Sequence, residues 1–300
     1  MDFRTDLAIE AKEIWEKTAA DTSVIPGAEA DTRNLSGFKT TTVRILDERG
    51  EKELCKPKGT YITIELDEFI RREQDSFSRG VSVLASELRS ILKLTPGETV
   101  LVAALGNEAV TPDSIGPRTA KYTMATRHLA EALPEQFDSF RRVSVLETGV
   151  LGTTGIESAE LIRAVCASIR PDRVIAVDAL CSGSVSRVCR TIQLTDAGII
   201  PGSGVGNARA ALNSRSLGVP VTAIGVPTVV DAATVAAEVF SLAGETAPDE
   251  KKLREVSGGM IVTPREIDVR ADDISKFIAY GINLALHDGL SIEDIDMLAG

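Results

Sequence analysis

The order of apolar and polar residues predicts alternating strands and helices from residue 99 onward. Short continuous apolar runs alternate with amphipathic stretches, which is typical of a parallel sheet covered by helices on both faces. The predicted strands are residues 99–105, 142–146, 173–177 and 219–226, and the predicted helices are residues 118–133, 158–169 and 232–242. The expected fold class is therefore α/β, with a central, mostly parallel sheet flanked by helices.

The first 97 residues show a different pattern. Residues 7–19 have helical spacing, and the polar, Gly/Asp/Asn-rich stretch that follows through Ser36 is typical of an N-terminal arm. Residues 40–46 and 60–66 alternate as strands joined through a turn at 47–50, which predicts a small antiparallel β lobe. A helix at residues 77–94 completes this part. We assign residues 1–97 to the arm and lobe and residues 98–300 to the catalytic core, and expect one integrated domain.

Composition and charge narrow the class of protein. A chain of 300 residues with 43% hydrophobic residues can bury a large core. Its net charge of −11 argues against direct nucleic-acid binding and suits a basic partner. Four cysteines without CxxC spacing are expected to be reduced. The charged N-terminus and the absence of a long apolar stretch predict a soluble, cytoplasmic protein without a membrane partner.

Candidate chemistry is expected where strands end, because ligands bind at the carboxyl ends of strands in such sheets. Residues 106–117 read GNEAVTPDSIGP, a loop shaped by two glycines and two prolines around one aspartate, Asp113. Asp113 could hold a functional carboxylate at the strand end, or it could cap the helix that follows. Taken alone, Asp113 fits the cap better.

A second aspartate, Asp178, ends the third apolar run and has apolar neighbours on both sides. Burial would raise its pKa, and a second carboxylate nearby would let the two share a proton. One could then act as a base toward water and the other as an acid. The structural alternative is a carboxylate satisfied by backbone amides or by an arginine such as Arg187.

Two further features compete for a role at these strand ends. Asp231 repeats the Val-Asp-Ala string and is a rival for either role, although helix capping also explains it. Residues 201–207 read PGSGVGN and superficially resemble a phosphate loop. A dinucleotide fingerprint needs glycine where Asn207 stands, and no Walker lysine with Ser/Thr follows. We interpret these residues as a tight loop that lines the cleft.

The sequence contains few residues that could support catalysis by histidine, by an activated serine or by a metal ion. His128 and His287 are the only histidines and lie far apart, which leaves little for a zinc site or a histidine triad. No Gly-x-Ser-x-Gly elbow is present. A divalent metal held by carboxylates alone stays open. We predict no cofactor and no metal.

Several strings of residues together are specific enough to indicate a family. They are residues 3–11 (FRTDLAIEA), 105–107 (LGN), 110–113 (VTPD), 116–117 (GP), 152–157 (GTTGIE), 175–180 (IAVDAL), 199–207 (IIPGSGVGN) and 224–232 (IGVPTVVDA). Through them the chain resembles the germination proteases of spore-forming bacteria over most of its length. The resemblance implies that Asp113 and Asp178 are the residues tied to catalysis, and that the fold is similar to that of hydrogenase-maturation proteases.

The resemblance also implies a biological role. It implies an endopeptidase, made as a zymogen in the spore core, that initiates degradation of the small acid-soluble proteins coating spore DNA, and it implies a homotetramer. Self-processing would cut the bond between Asp6 and Leu7. Two features depart from the family: a propeptide of residues 1–6 is short, and residues 243–259 stand where members carry a longer insertion.

Two alternatives to this function stay open from the residues themselves. One is a metal-dependent peptidase of the maturation type that uses the same carboxylates as ligands. The other is a non-enzymatic protein that binds a nucleotide or another small ligand through the loop at residues 202–207.

Overall fold

The computed structural model describes residues 5–18 and 24–299, and the strands in that part of the chain form one nine-stranded sheet. The strands are β1 Ala28–Leu35, β2 Phe38–Ile45, β3 Gly59–Glu65, β4 Val100–Leu105, β5 Val143–Gly149, β6 Arg173–Ser182, β7 Thr191–Thr195, β8 Val221–Asp231 and β9 Ile261–Val262. Their order is β1-β2-β3-β7-β8-β6-β4-β5, with β9 paired to β8.

Fourteen helices are found in the same described residues. They are α1 Ala8–Thr18, α2 Glu48–Leu54, α3 Asp67–Ile70, α4 Ser76–Leu92, α5 Ile115–Tyr122, α6 Arg127–Ala132, α7 Pro134–Phe137, α8 Leu151–Thr154, α9 Ser158–Ile169, α10 Ser214–Leu217, α11 Ala232–Leu242, α12 Glu250–Ser257, α13 Ile267–Leu286 and α14 Ile292–Ala299. None of these helices combines the length and the apolar character that crossing a bilayer requires.

The parallel part of the sheet confirms the predicted α/β fold. Strands β5, β4, β6 and β8 are neighbours in that order and run parallel. Every residue of β4 is buried, which explains why the strand appears in the sequence as a continuous apolar run. Helix α9 covers one face of these strands and helices α4, α5 and α13 cover the other. The carboxyl ends of the parallel strands therefore meet at one edge between two layers of helices.

The predicted antiparallel β lobe is confirmed, and its strands continue the same sheet as the parallel strands. Strands β1, β2 and β3 are antiparallel, as expected, but β3 also pairs with β7, where Ile62 lies opposite Leu194. Strand β7 then pairs with β8. The short segment that forms β7 escaped prediction and is what joins the two parts. A domain boundary at residue 97 stays a prediction.

Two local predictions in this region are wrong. The polar stretch before Ser36 is not an arm but contains β1, a sheet-edge strand whose residues are mostly exposed, which explains its polar composition. The expected turn at residues 47–50 is the start of α2. The carboxylate of Asp47 caps that helix by accepting hydrogen bonds from the N–H groups of Arg49 and Gly50, at 2.9 and 3.3 Å.

Helix α13 organises the larger core and was not predicted. The rings of Phe277 and Tyr280 are completely buried against α4. Its Asn283 accepts a hydrogen bond from the N–H of Met124 (2.9 Å) and donates one to the carbonyl of Tyr122 (2.8 Å). These bonds hold the chain between α5 and α6, so the single helix predicted at residues 118–133 is two helices.

Candidate active site

A cleft of about 610 Å³ opens at the carboxyl ends of β4, β6 and β8. Its walls come from the loop after β4, the loop that begins near residue 150 and the loop at residues 201–210. Asp113 and Asp178, predicted at two separate strand ends, both line it. Asp6 lines it as well. The fold therefore brings together both predicted catalytic residues and one residue of the predicted processing site.

Asp113 is fixed by the backbone of its own loop. It ends a 3₁₀ turn, Thr111–Asp113, and its carboxylate accepts a hydrogen bond from the N–H of Asn107 at 2.9 Å. The hydroxyl of Thr228 on β8 donates to the carbonyl of Pro112 at 2.6 Å and ties the loop to the sheet. Helix α5 begins after Ser114, which occupies the cap position. Asp113 is thus not a helix cap, and its carboxylate is available to the cleft.

Asp178 lies on β6 and only 5% of its surface is exposed. Its carboxylate accepts a hydrogen bond from the N–H of Ala179 at 2.9 Å. Arg187, the arginine considered as its partner, instead pairs with Glu13 at 2.5 Å and lies 3.9 Å from Glu10. Asp178 is therefore a buried carboxyl group with one backbone donor and without that arginine.

Burial raises the pKa values of both aspartates. It raises the pKa of Asp178 well above its ordinary value, and the negative charge of Asp113 raises it further, against the opposing hydrogen bond from Ala179. Burial also raises the pKa of Asp113, to about 6, while the N–H of Asn107 opposes the shift. Burial and the neighbouring negative charge therefore both favour the protonated form of Asp178, whereas Asp113, with a pKa of about 6, is mostly ionised at neutral pH. One member of the pair can accept a proton and the other can donate one.

Asp231, the rival aspartate, has a structural role at the end of β8. Its carboxylate accepts a hydrogen bond from the N–H of Ala233 at 2.8 Å and so caps α11. It also lies 3.9 Å from the guanidinium of Arg254. Among the described residues that line the cleft, Asp231 is not included. The capping interpretation of Asp231 is confirmed.

The glycine-rich loop forms a wall of the cleft, as predicted. Its 3₁₀ turn, Ser203–Val205, is closed by a hydrogen bond from the N–H of Asn207 to the carbonyl of Gly202 at 2.9 Å. Gly204 faces the N-terminal segment, since a Cβ there would lie 2.2 Å from the carboxylate of Asp6. The loop thus contacts part of its own chain.

The chain around the predicted processing site lies in the cleft beside β6. Only Thr5 and Asp6 of the predicted propeptide are inside the described residues. The N–H of Asp6 donates to the carbonyl of Cys181 (3.1 Å), and the N–H of Cys181 donates to the carboxylate of Asp6 (2.9 Å). Leu7 is completely buried against Leu180 and its neighbours. The segment is therefore held along the end of a strand that carries a candidate catalytic residue.

The buried carboxylate of Glu10 holds the following helix, α1, against the end of β6. Glu10 on α1 accepts hydrogen bonds from the hydroxyl of Ser182 (2.6 Å) and the N–H of Gly183 (2.7 Å), and from the hydroxyl of Thr5. Burial raises the pKa of Glu10, and these hydrogen bonds oppose that shift. Sequence reasoning gave Glu10 no role, because nothing in the helical pattern of α1 shows that this position meets the end of β6.

The described residues contain no group of three or more His, Cys, Asp and Glu side chains arranged to hold a metal ion. His128 lies on α6 and His287 follows α13. His287 is buried beside the ring of Phe140, and burial lowers its pKa to about 4. Neither histidine lines the cleft that contains the aspartates.

A cleft in which burial raises the pKa values of two carboxyl groups, at one edge of an α/β sheet, is suited to a hydrolase that activates water. Comparison with known proteins agrees with this class. Residues 8–245 match the family described as germination protease. The germination protease of Clostridium tetani is 43% identical over 322 aligned positions, covering 99% of each chain. That of Caldanaerobacter subterraneus subsp. tengcongensis is 42% identical over 323 positions, covering 99% of this chain and 98% of the relative.

The chain therefore belongs to the germination protease family and is a peptidase. Both alignments are longer than the chain itself, so these relatives contain residues that have no counterpart here. Among solved structures, the chain is similar to the [NiFe] hydrogenase maturation protease HycI of Thermococcus kodakarensis KOD1. The two are 18% identical with a TM-score of 0.36, and the match covers 65% of this chain and 98% of that one.

Proposed function

We propose that this peptidase is a self-processing endopeptidase that initiates the degradation of small acid-soluble spore proteins during germination, with Asp113 and Asp178 activating the attacking water. The observation that carries the proposal is the pair itself. One carboxyl group from the loop after β4 and one from strand β6 share one cleft, and the negative charge of Asp113 raises the pKa of Asp178. Family membership supports the peptidase activity.

The proposed mechanism assigns the role of base to Asp113 and the role of acid to Asp178, whose pKa is raised well above its ordinary value. Ionised Asp113 accepts a proton from a water molecule as the water oxygen attacks the carbonyl carbon of the scissile peptide bond. Protonated Asp178 donates a hydrogen bond to the developing oxyanion, and its proton is available for the leaving amine. The carbon–nitrogen bond then breaks and releases an acid and an amine. The proton taken up by Asp113 restores the starting pair when it passes to Asp178.

The proposed self-processing is supported by how the Asp6–Leu7 bond is held. The side-chain amide of Gln193 donates to the carbonyl of Asp6 at 3.2 Å and accepts a hydrogen bond from the N–H of Ala8 at 2.7 Å. One buried side chain therefore forms hydrogen bonds with the backbone on both sides of the proposed scissile bond. Such positioning is what a peptide-cleaving site requires before chemistry can occur.

The proposed substrates suit the charge of the enzyme. Proteins that coat DNA present basic surfaces, and the chain has a net charge of −11, which favours encounter with them. The location in the spore core and the assembly into a homotetramer stay predictions.

The test replaces each aspartate separately, as Asp113→Asn and Asp178→Asn. The intact mass of the chain is followed over time for loss of residues 1–6, and digestion of a purified small acid-soluble spore protein is measured in parallel. We expect each variant to lose roughly 10²–10⁴-fold in rate, the range that general acid–base groups contribute. The matched control is Asp231→Asn, which changes an aspartate that caps a helix nearby.

Unchanged turnover in both aspartate variants would exclude the proposed mechanism. The assay also separates the metal-dependent alternative, because a chelator should then abolish activity and a divalent cation should restore it. For the mechanism proposed here, activity in the presence of chelator should match activity in its absence.

A further inference from the structure

The turn that carries Asp113 is tied to other parts of the fold by the side chains of two threonines. The hydroxyl of Thr228 on β8 donates a hydrogen bond to the carbonyl of Pro112 at 2.6 Å. At the start of the same turn, the hydroxyl of Thr111 donates to the carboxylate of Asp268 on α13 at 2.8 Å. Thr228 is completely buried, whereas the bond between Thr111 and Asp268 is exposed. Because water competes less for a buried bond, Thr228 provides the stronger tie.

Thr228 reaches the turn because it is the extra residue of a β-bulge. Leu180 on β6 lies opposite Pro227 on β8, and the next residue, Cys181, lies opposite Val229. Thr228 is therefore passed over in the pairing of these two strands. A bulge redirects a side chain from the regular alternation of its strand, and bulges are common beside active sites. Here the redirected side chain is the one that bonds to the turn.

The bulge is supported by a second threonine, Thr263, which follows β9. Its hydroxyl donates a hydrogen bond to the carbonyl of Thr228 at 2.8 Å. Thr228 and Thr263 both line the cleft that contains the two aspartates. Two hydrogen bonds in series therefore connect the segment after β9, through the bulge, to the turn that ends at Asp113.

We propose that Thr228 is a positioning residue, which fixes the turn Thr111–Asp113 at the distance from β6 that lets the two aspartates act as a pair. This inference rests on the proposed function. Strand β8 lies beside β6, where Gly225 is opposite Asp178, and Thr228 of the same strand is bonded to the turn. One strand therefore sets where each carboxyl group lies relative to the other. Since misplacement of a reacting group by about 1 Å can cost roughly 100-fold in rate, losing this bond has a measurable kinetic effect.

The first experiment separates positioning from substrate binding. Thr228→Val keeps the branched shape and removes the donor, whereas Thr228→Ser keeps the hydroxyl. We expect Thr228→Val to lower kcat for cleavage of a small acid-soluble spore protein by about 10- to 100-fold with KM unchanged, and Thr228→Ser to retain the parent's kcat. A raised KM with an unchanged kcat would mean that Thr228 acts on the substrate, and would overturn the proposal.

Thr191→Val is the matched control. Thr191 is a buried threonine on β7, and its hydroxyl has no hydrogen-bond partner among the residues that the structure describes. It does not line the cleft. This variant makes the same change of side chain at a buried position without removing a bond to the turn, and should leave kcat and KM unchanged. An equal loss of kcat in Thr191→Val would overturn the role given to Thr228.

The pH profile gives a readout that a merely structural role would not change. Burial raises the pKa of Asp113 to about 6. A turn released from Thr228 exposes that carboxylate to water, so the rise in kcat/KM near pH 6 should move to lower pH in Thr228→Val. The charged groups that act on the pair are the aspartates themselves and Asp6, and this substitution alters none of them. Partial unfolding would lower the rate at every pH and leave the position of the rise unchanged, which would contradict the proposal.

Thr263→Val tests whether Thr263 acts through Thr228. We expect it to lower kcat less than Thr228→Val does, and the double variant to lose about as much as Thr228→Val alone, because both changes break the same series of bonds. Losses of kcat that multiply in the double variant would overturn the supporting role of Thr263.

Hydrogen exchange measures the turn without relying on cleavage. The N–H of Asn107 is bonded to Asp113, and the N–H of Asp113 is bonded to the carbonyl of Val110 at 2.7 Å. Thr228→Val should speed exchange of both amides about tenfold, as the loss of one buried hydrogen bond allows, and Thr191→Val should not. The chains are compared once intact mass shows that they are in the same processed state.

The outcomes separate this inference from the function on which it rests. Unchanged exchange in Thr228→Val overturns the positioning role and leaves the peptidase intact. A parent enzyme that cleaves no spore protein overturns the proposed function, and the exchange experiment then decides alone whether Thr228 holds the turn.

Discussion

The N–H of Asn107 donates to Asp113 at two points, to its carbonyl oxygen at 3.0 Å and to its carboxylate at 2.9 Å. This bifurcated bond closes the loop after β4 and aims the side chain of Asp113. It requires Gly106, which has a φ of +112° and whose Cβ would lie 2.0 Å from the carbonyl oxygen of Asp113. The geometry of one candidate catalytic residue therefore depends on a glycine seven positions earlier in the chain.

Gly106→Ala should consequently disable the enzyme. The added methyl group has no space against the Asp113 backbone, so the loop must shift and the carboxylate with it. We expect a loss of at least about 100-fold in kcat/KM, as displacements near 1 Å produce in positioned sites. The assay is cleavage of a spore protein, with circular dichroism to verify that the variant is folded.

Gly97→Ala is the matched control for Gly106→Ala. Gly97 also has a positive φ, +85°, but a Cβ there would meet nothing within 4 Å. It therefore carries the backbone strain without the collision. Equal activity losses in the two variants would contradict the steric explanation.

The rate of cleavage should depend on pH through the aspartate pair. Because ionised Asp113 is the proposed base and its pKa is raised to about 6, kcat/KM should rise as the pH increases through about 6. It should fall again at higher pH, when Asp178 loses the proton that its raised pKa retains. Since the two groups interact, the apparent pKa values belong to the pair.

The measurement is kcat/KM for a peptide substrate between about pH 4.5 and pH 9. Samples held at each pH and returned to pH 7 should recover full activity, which controls for unfolding. A rate that stays constant between pH 5 and pH 7 would exclude Asp113 as the base with the pKa given above.

Stability should respond to pH with the opposite sense from that of most carboxylates. The pKa of Asp113 is raised in the folded state from 3.8 to about 6, so its contribution to stability is complete below pH 3.8 and is lost as the pH rises through 6. Asp113→Asn avoids this loss. We expect the variant to be more stable than the parent by about 1–2 kcal/mol at pH 8, after allowance for partial exposure, and by little at pH 4.

Urea unfolding at the two pH values measures this difference. Asp172→Asn provides a control of opposite sign, because hydrogen bonds from Thr99 lower the pKa of Asp172. Its contribution to stability is present above the ordinary pKa and is lost as the pH falls, so that variant should be less stable than the parent at pH 8. A parent that is more stable than Asp113→Asn at pH 8 would contradict the assigned shift.

The sequence was sufficient for the parallel strands and for the loop that holds Asp113, but it ended β6 too early, because Asp178 lies inside a strand that continues to Ser182. Continuous apolar runs such as β4 identify strands buried on both faces, and the loops that follow them meet at one edge by geometry alone. The composition of β1 was misleading, because an edge strand needs few apolar residues and so resembles a loop. Strand β7 escaped prediction because only five residues define it.

The parts of the site that the sequence could not predict depend on contacts between distant segments. Gln193 accepts a hydrogen bond from the N–H of Ala8, which is 185 residues away in the sequence. Ser203 donates one to the carboxylate of Asp6, which is 197 residues away. No local pattern encodes such pairs. The resemblance to a family pointed to Asp6 and Leu7 as a processing site, but only the fold shows that this segment lies in the cleft with the aspartates.

The last prediction concerns Asp231, whose role the sequence left open. Since its carboxylate caps α11 through the N–H of Ala233, Asp231→Ala should cost about 1 kcal/mol of stability, whereas Asp231→Asn should cost only a few tenths, because asparagine caps nearly as well. Both variants should retain the parent's kcat/KM when assayed well below their melting temperatures. Thermal unfolding and peptide cleavage measured on the same samples decide the matter. A loss of activity in Asp231→Asn with unchanged stability would mean that the third aspartate, and not capping alone, contributes to the chemistry of the cleft.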